Sequence, residues 1–249
     1  VTMYPEDAKD AGELLKNADM AMYAAKDCGR NQYCFFLPAM SEAIQARMLF
    51  SQSLQTAIAE NQFVLYYQPI VNMKTGAVDR FEALIRWHHP ELGLVPPSEY
   101  IPFAEDSGLI VDIGQWVFEA AVAQAKKWYE QGYRFRLSIN VSPAQFYGDG
   151  VDAEQWIAIL EASRVPLCFF VIEITERLLL DANPMITETL ARLREAGLRI
   201  AVDDFGTGFS SLTYLKRYPI DFIKIDQSFV RHLAPYSEDL ALCEAMIVM

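Results

Sequence analysis

The sequence contains no uninterrupted run of about 18 or more apolar residues, which is the minimum for a membrane-spanning helix. It also has no segment that combines the charged, apolar and small-residue parts of a secretory signal peptide. These absences predict a soluble, cytoplasmic chain. They leave room for a membrane anchor elsewhere in a longer protein.

The chain has little cysteine and histidine, with four residues of the first and three of the second. The cysteines are scattered, form no C-x-x-C pair and have no histidine close by in the sequence: Cys28, Cys34, Cys168 and Cys243. Zinc sites usually use such closely spaced ligands, and disulfides are rare in cytosolic proteins. We therefore expect reduced thiols.

Basic residues are also scarce, since 21 Lys and Arg stand against 33 Asp and Glu, for a net charge of −12. Binding to a DNA or RNA polymer needs clustered positive charge, so that class of partner is disfavoured. A small anionic phosphodiester can still bind to an acidic protein if metal ions reverse the charge within the site.

The apolar content is high, and 249 residues with 52% hydrophobic side chains can bury one barrel-sized domain or two smaller ones. The pattern of residues 1–37 predicts a separate unit, with a helix from about Glu13 to Lys26, a turn at 28–31 and a strand Gln32–Phe36. So few elements cannot form a core, and we interpret 1–37 as the end of a domain that begins upstream. Residues 38–60 predict a linker helix.

Residues 61–249 predict a mainly parallel sheet, because short β-rich segments alternate with helical ones. The predicted helices are Pro97–Gly108, Val111–Gln131, Asp152–Ser163, Pro184–Ala196, Ser210–Arg217 and one that opens near Glu238. The six predicted strands are Phe63–Val71, Val78–Trp87, Phe135–Val141, Phe169–Thr175, Arg199–Asp204 and Phe222–Asp226. This pattern is typical of a TIM-type (β/α)8 barrel that is incomplete at its C-terminus.

Polar side chains alternate with apolar ones along these strands. Glu82 shares a strand face with Arg86, and Lys224 shares one with Asp226, while the opposite faces are apolar. The same holds for Ser138 with Asn140, and for Glu173 with Thr175. Unpaired charge inside a sheet costs several kcal/mol, and a divalent metal ion would compensate it.

Several of these segments resemble the motifs of EAL domains, the bacterial cyclic di-GMP phosphodiesterases. The similar segments are YYQPIV (66–71), FEALIRW (81–87), LSINVSPAQF (137–146), VIEITE (171–176), VDDFGTGFSSL (202–212) and IDFIKID (220–226). Residues 1–37 resemble the C-terminal end of a GGDEF domain, through YPED and ADMAMYAAKDCGRNQY. The resemblance thus implies a GGDEF–EAL tandem protein of which both ends lie outside this sequence, and no cyclase activity is assigned to it.

The resemblance implies a site with two divalent cations, Mg²⁺ or Mn²⁺. Its metal ligands would be Glu82, Asn140, Glu173 and Asp203, with Asp204 holding the second cation. Lys224 and Asp204 would be catalytic, with the lysine orienting or helping to deprotonate the attacking water.

Other positions match the substrate and loop residues of the family. Gln68, Leu84 and Arg86 would contact the substrate, with the guanidinium of Arg86 on a phosphate. Glu176 would stabilise the loop Phe205–Ser211, where glycines at 206 and 208 permit the turn.

Three functions follow as alternatives. The first is hydrolysis of cyclic di-GMP to pGpG, and the second is an inactive receptor for the same ligand. The third is an aldolase with Lys224 as a Schiff-base lysine, which nearby carboxylates disfavour because they keep the amine protonated. In the family a glutamate on the seventh strand and a glutamine on the eighth complete the site, beyond Met249, so this stretch alone is expected to be weak or inactive. The resemblance also implies a homodimer and an upstream sensor domain.

Overall fold

The computed structural model describes residues 1–27, 31–147, 150–180, 183–207, 218–231 and 233–248. The chain forms two compact units, Val1–Thr56 and Ala57–Met249. The division falls within helix α2 (Pro38–Ala59). The domain boundaries predicted after residues 37 and 60 stay predictions.

The first unit contains helix α1, Ala11–Asp27, where the sequence predicts a helix. Glu13 in its first turn and Lys26 in its last turn both complement the helix dipole. The predicted strand Gln32–Phe36 is wrong, since these residues form no strand. The Phe36 N–H donates to the Val1 carbonyl at 2.9 Å and the Val1 ammonium to the Cys34 carbonyl, which is too little for a ladder. Residues 28–30 of the predicted turn lie outside the described residues.

The second unit begins with the predicted hairpin. Strands β1 (Phe63–Val71) and β2 (Val78–His89) pair antiparallel. In the turn, the side-chain oxygen of Asn72 accepts backbone hydrogen bonds at 3.0 and 3.3 Å, and Gly76 has φ of +71°. This local bonding fixes the register of the hairpin.

A short strand that the sequence did not predict follows the hairpin. Strand β3, Gly93–Val95, pairs antiparallel with the end of β2, which extends to His89. Three residues are too few to show a period of two, so the pattern gives no signal for β3.

The rest of the unit alternates helices with parallel strands. The strands are β4 (Arg136–Asn140), β5 (Phe170–Thr175), β6 (Arg199–Phe205) and β7 (Phe222–Ile225). The helices are α3 (Pro97–Ser107), α4 (Ile110–Glu130), α5 (Ala153–Ser163), α6 (Glu176–Leu180), α7 (Pro184–Glu195), α8 (Gln227–Val230) and α9 (Glu238–Val248). The predicted helix Ser210–Arg217 lies outside the described residues. The sequence analysis did not predict the short helix α6.

One seven-stranded sheet results, with the order β1-β2-β4-β5-β6-β7 and β3 attached to β2. From β2 through β4 to β7 the neighbours are parallel, which confirms the predicted α/β class. Among the described residues the sheet is open between β1 and β7. Its core is apolar, with buried residues that include Trp87, Phe118, Leu137, Trp156, Phe170, Ile172 and Ile200.

Within the described residues, no helix is both long enough and apolar enough to cross a membrane. The cytoplasmic location stays a prediction.

Candidate metal centre

The register of the sheet places the predicted site residues side by side. Gln68 on β1 pairs with Glu82 on β2, and Asn140 on β4 pairs with Glu173 on β5. Paired residues of adjacent strands project to the same face. Because β2, β4, β5, β6 and β7 run parallel, their carboxyl ends meet at one edge of the sheet, where barrel enzymes carry their active sites.

Three carboxylates converge on the amino group of Lys224. Its Nζ donates to Glu173 Oε2 at 2.5 Å, to Asp203 Oδ2 at 3.0 Å and to Glu82 Oε2 at 3.1 Å. One oxygen from each of the three acids lies within 4.8 Å of the others. Asn140 Nδ2 donates to the second oxygen of Glu82 at 2.7 Å, which extends the network to β4. These five side chains form what we call the carboxylate cluster.

The cluster is electrostatically unbalanced. Glu173 is only 1% exposed, and burial raises its pKa, with the charge of Glu82 adding to the effect and Lys224 opposing it. Burial alone would lower the pKa of Lys224, but the attraction and hydrogen bonds of Glu173, Glu82 and Asp203 outweigh it and raise the pKa. Lys224 is therefore a firmly protonated ammonium, which disfavours the aldolase because that chemistry needs a neutral amine.

A divalent cation fits this donor set. The three carboxylates carry a formal charge of −3 against the +1 of Lys224, and they already surround one compact cation at hydrogen-bond distance. Donors that are all oxygen suit hard cations such as Mg²⁺ or Mn²⁺. The cluster can therefore hold a metal ion at the carboxyl edge of the sheet.

Asp204 reaches the same region because strand β6 is irregular. On a regular strand Asp203 and Asp204 would point to opposite faces. The register between β6 and β7 shifts between Val202 and Phe205, and Asp204 has φ of +53°. Burial raises the pKa of Asp204, and the charges of Asp203 and Asp226 raise it further. The bulge thus brings Asp204 near enough to the cluster for the charges of Asp203, Lys224 and Glu82 to act on its pKa, and bulges often lie next to active sites.

Glu176 lies under the segment that follows β6. It is 5% exposed, and its Oε2 accepts the Gly206 N–H at 2.9 Å. Gly206 has φ of +100°, and a Cβ there would lie 2.7 Å from Met246 Cε and 2.8 Å from Phe229 Cε2. Only glycine fits this position without strain. Residues 208–211 of the predicted loop lie outside the described residues, so the role of Glu176 in ordering the whole loop stays a prediction.

The predicted substrate residues lie on the same face as the cluster but do not all touch it. Gln68 is exposed beside Glu82, and Leu84 pairs across the hairpin with Tyr66. Arg86 donates from Nη1 to the carbonyl of the adjacent Ile85 at 2.8 Å, and it has no hydrogen bond to the cluster among the described residues.

Tyr66 is a candidate that the sequence reasoning missed. Its ring, 47% exposed, lies 5.6 Å from the guanidinium carbon of Arg86, and its hydroxyl lies 3.5 Å from His88 Nε2. Tyr66 is two residues before Gln68 on β1, so strand alternation places both side chains on one face and could have indicated Tyr66 once Gln68 was predicted from the resemblance.

Comparison with known proteins identifies the family to which the second unit belongs. The family profile described as EAL domain matches residues 51–249. The bifunctional diguanylate cyclase/cyclic di-GMP phosphodiesterase MucR of Pseudomonas aeruginosa is 40% identical over 253 residues, which cover 100% of this chain and 36% of MucR. The cyclic di-GMP phosphodiesterase PdeR of Escherichia coli is 37% identical over 247 residues, 96% of this chain and 36% of PdeR. The chain thus spans about a third of the length of these curated relatives.

A solved structure shows the same fold. The MucR phosphodiesterase of Pseudomonas aeruginosa in complex with c-di-GMP superposes with a TM-score of 0.74 and 36% identity, over 79% of this chain and 80% of that chain. This likeness confirms the predicted α/β fold of the TIM-type EAL class. The GGDEF assignment of residues 1–37 stays a prediction. The chain belongs to the EAL domain family.

Proposed function

We propose that this EAL domain hydrolyses cyclic di-GMP to the linear dinucleotide pGpG in bacterial second-messenger signalling. The observation that carries the proposal is the convergence of Glu82, Glu173 and Asp203 on Lys224 at the carboxyl edge of the sheet. MucR and PdeR, which are 40% and 37% identical to this chain, are named as phosphodiesterases for this substrate.

The metal requirement is two divalent cations, Mg²⁺ or Mn²⁺. Glu82, Asn140, Glu173 and Asp203 would hold one of them, and Asp204 would hold the second. When bound, such cations lower the pKa of water and offset the negative charge that builds up on the phosphate.

Lys224 would orient the attacking water or help to deprotonate it. In the site without metal ions, the effect of burial is outweighed by Glu173, Glu82 and Asp203, which raise the pKa of Lys224, and its ammonium donates hydrogen bonds to all three. From its position among the carboxylates it orients the attacking water. Asp204, whose pKa is raised by burial and by neighbouring acids, is the second catalytic residue of the proposal.

The substrate binds to the exposed face of the β1–β2 hairpin. Arg86, which hydrogen-bonds only a carbonyl of its own strand among the described residues, can turn its guanidinium to a phosphate of the ligand. Gln68 and Leu84 line the groove beside it. We further propose a cytoplasmic homodimer that binds no DNA or RNA polymer and is controlled by an upstream sensor domain.

The test is pGpG release from cyclic di-GMP with Mg²⁺, measured on the full-length protein and on its Glu82→Gln variant. Loss of one preorganised ligand of the reaction centre typically costs on the order of 10²- to 10³-fold in rate, and we expect a loss of at least that size. The matched control is Glu161→Gln, an exposed carboxylate on α5, which should keep wild-type turnover. Wild-type turnover in Glu82→Gln would contradict the proposed site.

The same assay separates the enzyme from the receptor. A receptor would bind cyclic di-GMP in a cation-dependent manner and release no pGpG. That result for the full-length wild-type protein would replace hydrolysis with ligand sensing at the same residues.

A further inference from the structure

The amino edge of the sheet has the opposite charge to the carboxyl edge. Arg80 lies two residues before Glu82, Arg136 two before Ser138, and Arg199 four before Asp203. Even spacing on a strand keeps each pair on one face of the sheet. The face that carries the acids at one edge therefore carries arginines at the other.

A cavity of about 620 Å³ opens at this amino edge. Its lining includes three arginines, two acids and two aromatic rings: Arg134, Arg136, Arg199, Asp79, Asp221, Phe169 and Phe222. Pockets that bind small molecules commonly have volumes of roughly 300–1,000 Å³, so this one is large enough for a ligand.

Two of the lining arginines are already satisfied. Arg199 pairs with Asp221 at 2.8 Å, and Asp221 also accepts the Ile200 N–H at 3.0 Å. Arg134 donates to the carbonyls of Tyr129 and Tyr133 and lies 4.0 Å from the centre of the Tyr129 ring. These groups shape the cavity and supply background positive charge.

Arg136, the third lining arginine, and Arg80, whose guanidinium lies against the lining residue Phe222, are different because neither is paired with an acid among the described residues. They are direct partners in the parallel ladder of β2 and β4, and both are half-buried. Neither forms an ion pair with any residue that the structure describes. Arg80 Nε is buried without a hydrogen-bond partner, and its guanidinium lies 4.3 Å from the centre of the Phe222 ring.

This arrangement is unfavourable in the absence of an anion. Like charges directly opposite in a ladder repel, and a buried polar group without a partner loses the hydration that it had in water. Burial and the charge of Arg136 lower the pKa of Arg80, while Asp79 and Glu173 offset only part of that effect. The chain has a net charge of −12, so acidic partners are plentiful, and two adjacent arginines without one need an explanation.

We propose that the amino edge of the sheet is a binding site for a small phosphate-bearing molecule, whose dianionic phosphate lies between the guanidinium groups of Arg80 and Arg136. Guanidinium forks bind phosphate oxygens in pairs, and two of them match one dianion in charge. Phe222 supplies an apolar wall, and the volume leaves room for a group attached to the phosphate. The site is separate from the carboxylate cluster, and its existence does not depend on hydrolysis of cyclic di-GMP.

The test uses inorganic phosphate as the probe and the full-length protein. Isothermal titration and thermal melts are compared in phosphate and in sodium chloride of equal ionic strength. We expect saturable phosphate binding and a rise in Tm with phosphate that chloride does not reproduce. Arg136→Gln should weaken the binding by roughly tenfold or more, since it removes charged hydrogen bonds. Arg164→Gln, which removes the same charge from an exposed position outside the cavity, should leave it unchanged.

Other outcomes would overturn the proposal. Equal phosphate affinity in wild type and Arg136→Gln would place the anion elsewhere, and absence of saturable binding at millimolar phosphate would remove the site. The Tm of Arg136→Gln could also fall below that of wild type by the same amount in phosphate and in chloride. That result would show that an acidic side chain of the protein, and not a bound phosphate, neutralises Arg80 and Arg136. If Arg136→Gln does not fold, Arg136→Lys keeps the charge without the fork and should still bind phosphate more weakly than wild type.

Discussion

The two edges of the sheet differ in charge although the same strands build both. At the carboxyl edge, Glu82, Glu173 and Asp203 share one ammonium, that of Lys224, and remain negative in sum. At the amino edge, Arg80 and Arg136 face each other with no paired acid among the described residues. The face of the sheet therefore changes from basic to acidic within a few residues of strand, and each edge attracts ions of opposite sign.

The edges also differ in backbone regularity. The ladder at the amino edge runs without interruption from Arg80–Arg136 to Val171–Arg199. At the carboxyl edge, β6 is bulged and Asp204 has a positive φ, which costs on the order of 1–3 kcal/mol for such a residue. Backbone strain often concentrates at active sites. The strained carboxyl edge is therefore the edge at which we place catalysis, and the regular amino edge is the one at which we place only ligand binding.

The largest loss of stability should come from removing the ammonium group of Lys224 from the carboxylate cluster. Lys224→Met leaves Glu173 buried beside two other acids, so we expect a loss of about 3 kcal/mol in the free energy of unfolding when EDTA is present. Mn²⁺ should raise the Tm of this variant more than that of wild type, because the ion replaces the missing charge. Thermal melts with EDTA and with Mn²⁺ measure both quantities.

The control for Lys224→Met is Lys126→Met, an exposed lysine on α4, which should behave as wild type in both conditions. A Mn²⁺-induced rise in Tm no larger in Lys224→Met than in wild type would show that the cluster does not hold the ion.

An intermediate effect is expected at the amino edge from Asp221→Asn. The Asp221 side chain is 8% exposed and pairs with Arg199 and Arg194, whose side chains are 46% and 44% exposed. Because solvent screens these arginines, we expect a loss of only about 1–2 kcal/mol at neutral pH. Urea unfolding measures it, with Asp19→Asn, an exposed acid on α1, as the control.

The same variant has a defined pH dependence. Burial would raise the pKa of Asp221, but the Ile200 N–H and the guanidiniums of Arg199 and Arg194 outweigh it and hold the pKa below its usual value. A lowered folded-state pKa gives stability that is complete above the unfolded value of about 4 and is lost as the pH falls through the folded value. The difference between wild type and Asp221→Asn should therefore shrink below about pH 4. A difference that stays constant with pH would mean that the ion pairs do not stabilise the fold.

The smallest effect is expected at Tyr66, whose ring lies beside Arg86. A cation–π contact at an exposed site contributes about 0.5–1 kcal/mol, so Tyr66→Ala should raise the KM for cyclic di-GMP about two- to five-fold with little change in kcat. Tyr66→Phe keeps the ring and should retain the wild-type KM. Equal losses in both variants would assign the effect to the hydroxyl group and not to the ring.

Much of the fold was predictable because long strands and helices carry a clear period. The β1–β2 hairpin and the four parallel strands lie where alternation placed them, within one or two residues at the ends. Strand β3 escaped because it has three residues and depends on pairing with β2. The predicted strand Gln32–Phe36 failed because local β-propensity does not make a strand without a ladder.

The site was predictable in part for the same reason. Alternation along each strand placed Glu82, Glu173 and Lys224 on polar faces, and the parallel register then brings them together. Alternation alone would have separated Asp203 from Asp204, since the bulge in β6 has no pattern in the sequence. Arg80 and Arg136 are opposite each other because of the register between β2 and β4. These strands are distant in the sequence, so only the structure shows the pairing.

On this proposal, the carboxylate cluster binds the divalent cation on which hydrolysis depends. The most direct measurement is anomalous diffraction at a manganese-sensitive wavelength, from crystals of the protein grown with Mn²⁺. We expect an anomalous peak among the carboxylates of Glu82, Glu173 and Asp203. Crystals of a protein with manganese-dependent pGpG release that show a manganese peak only away from these three residues would contradict it.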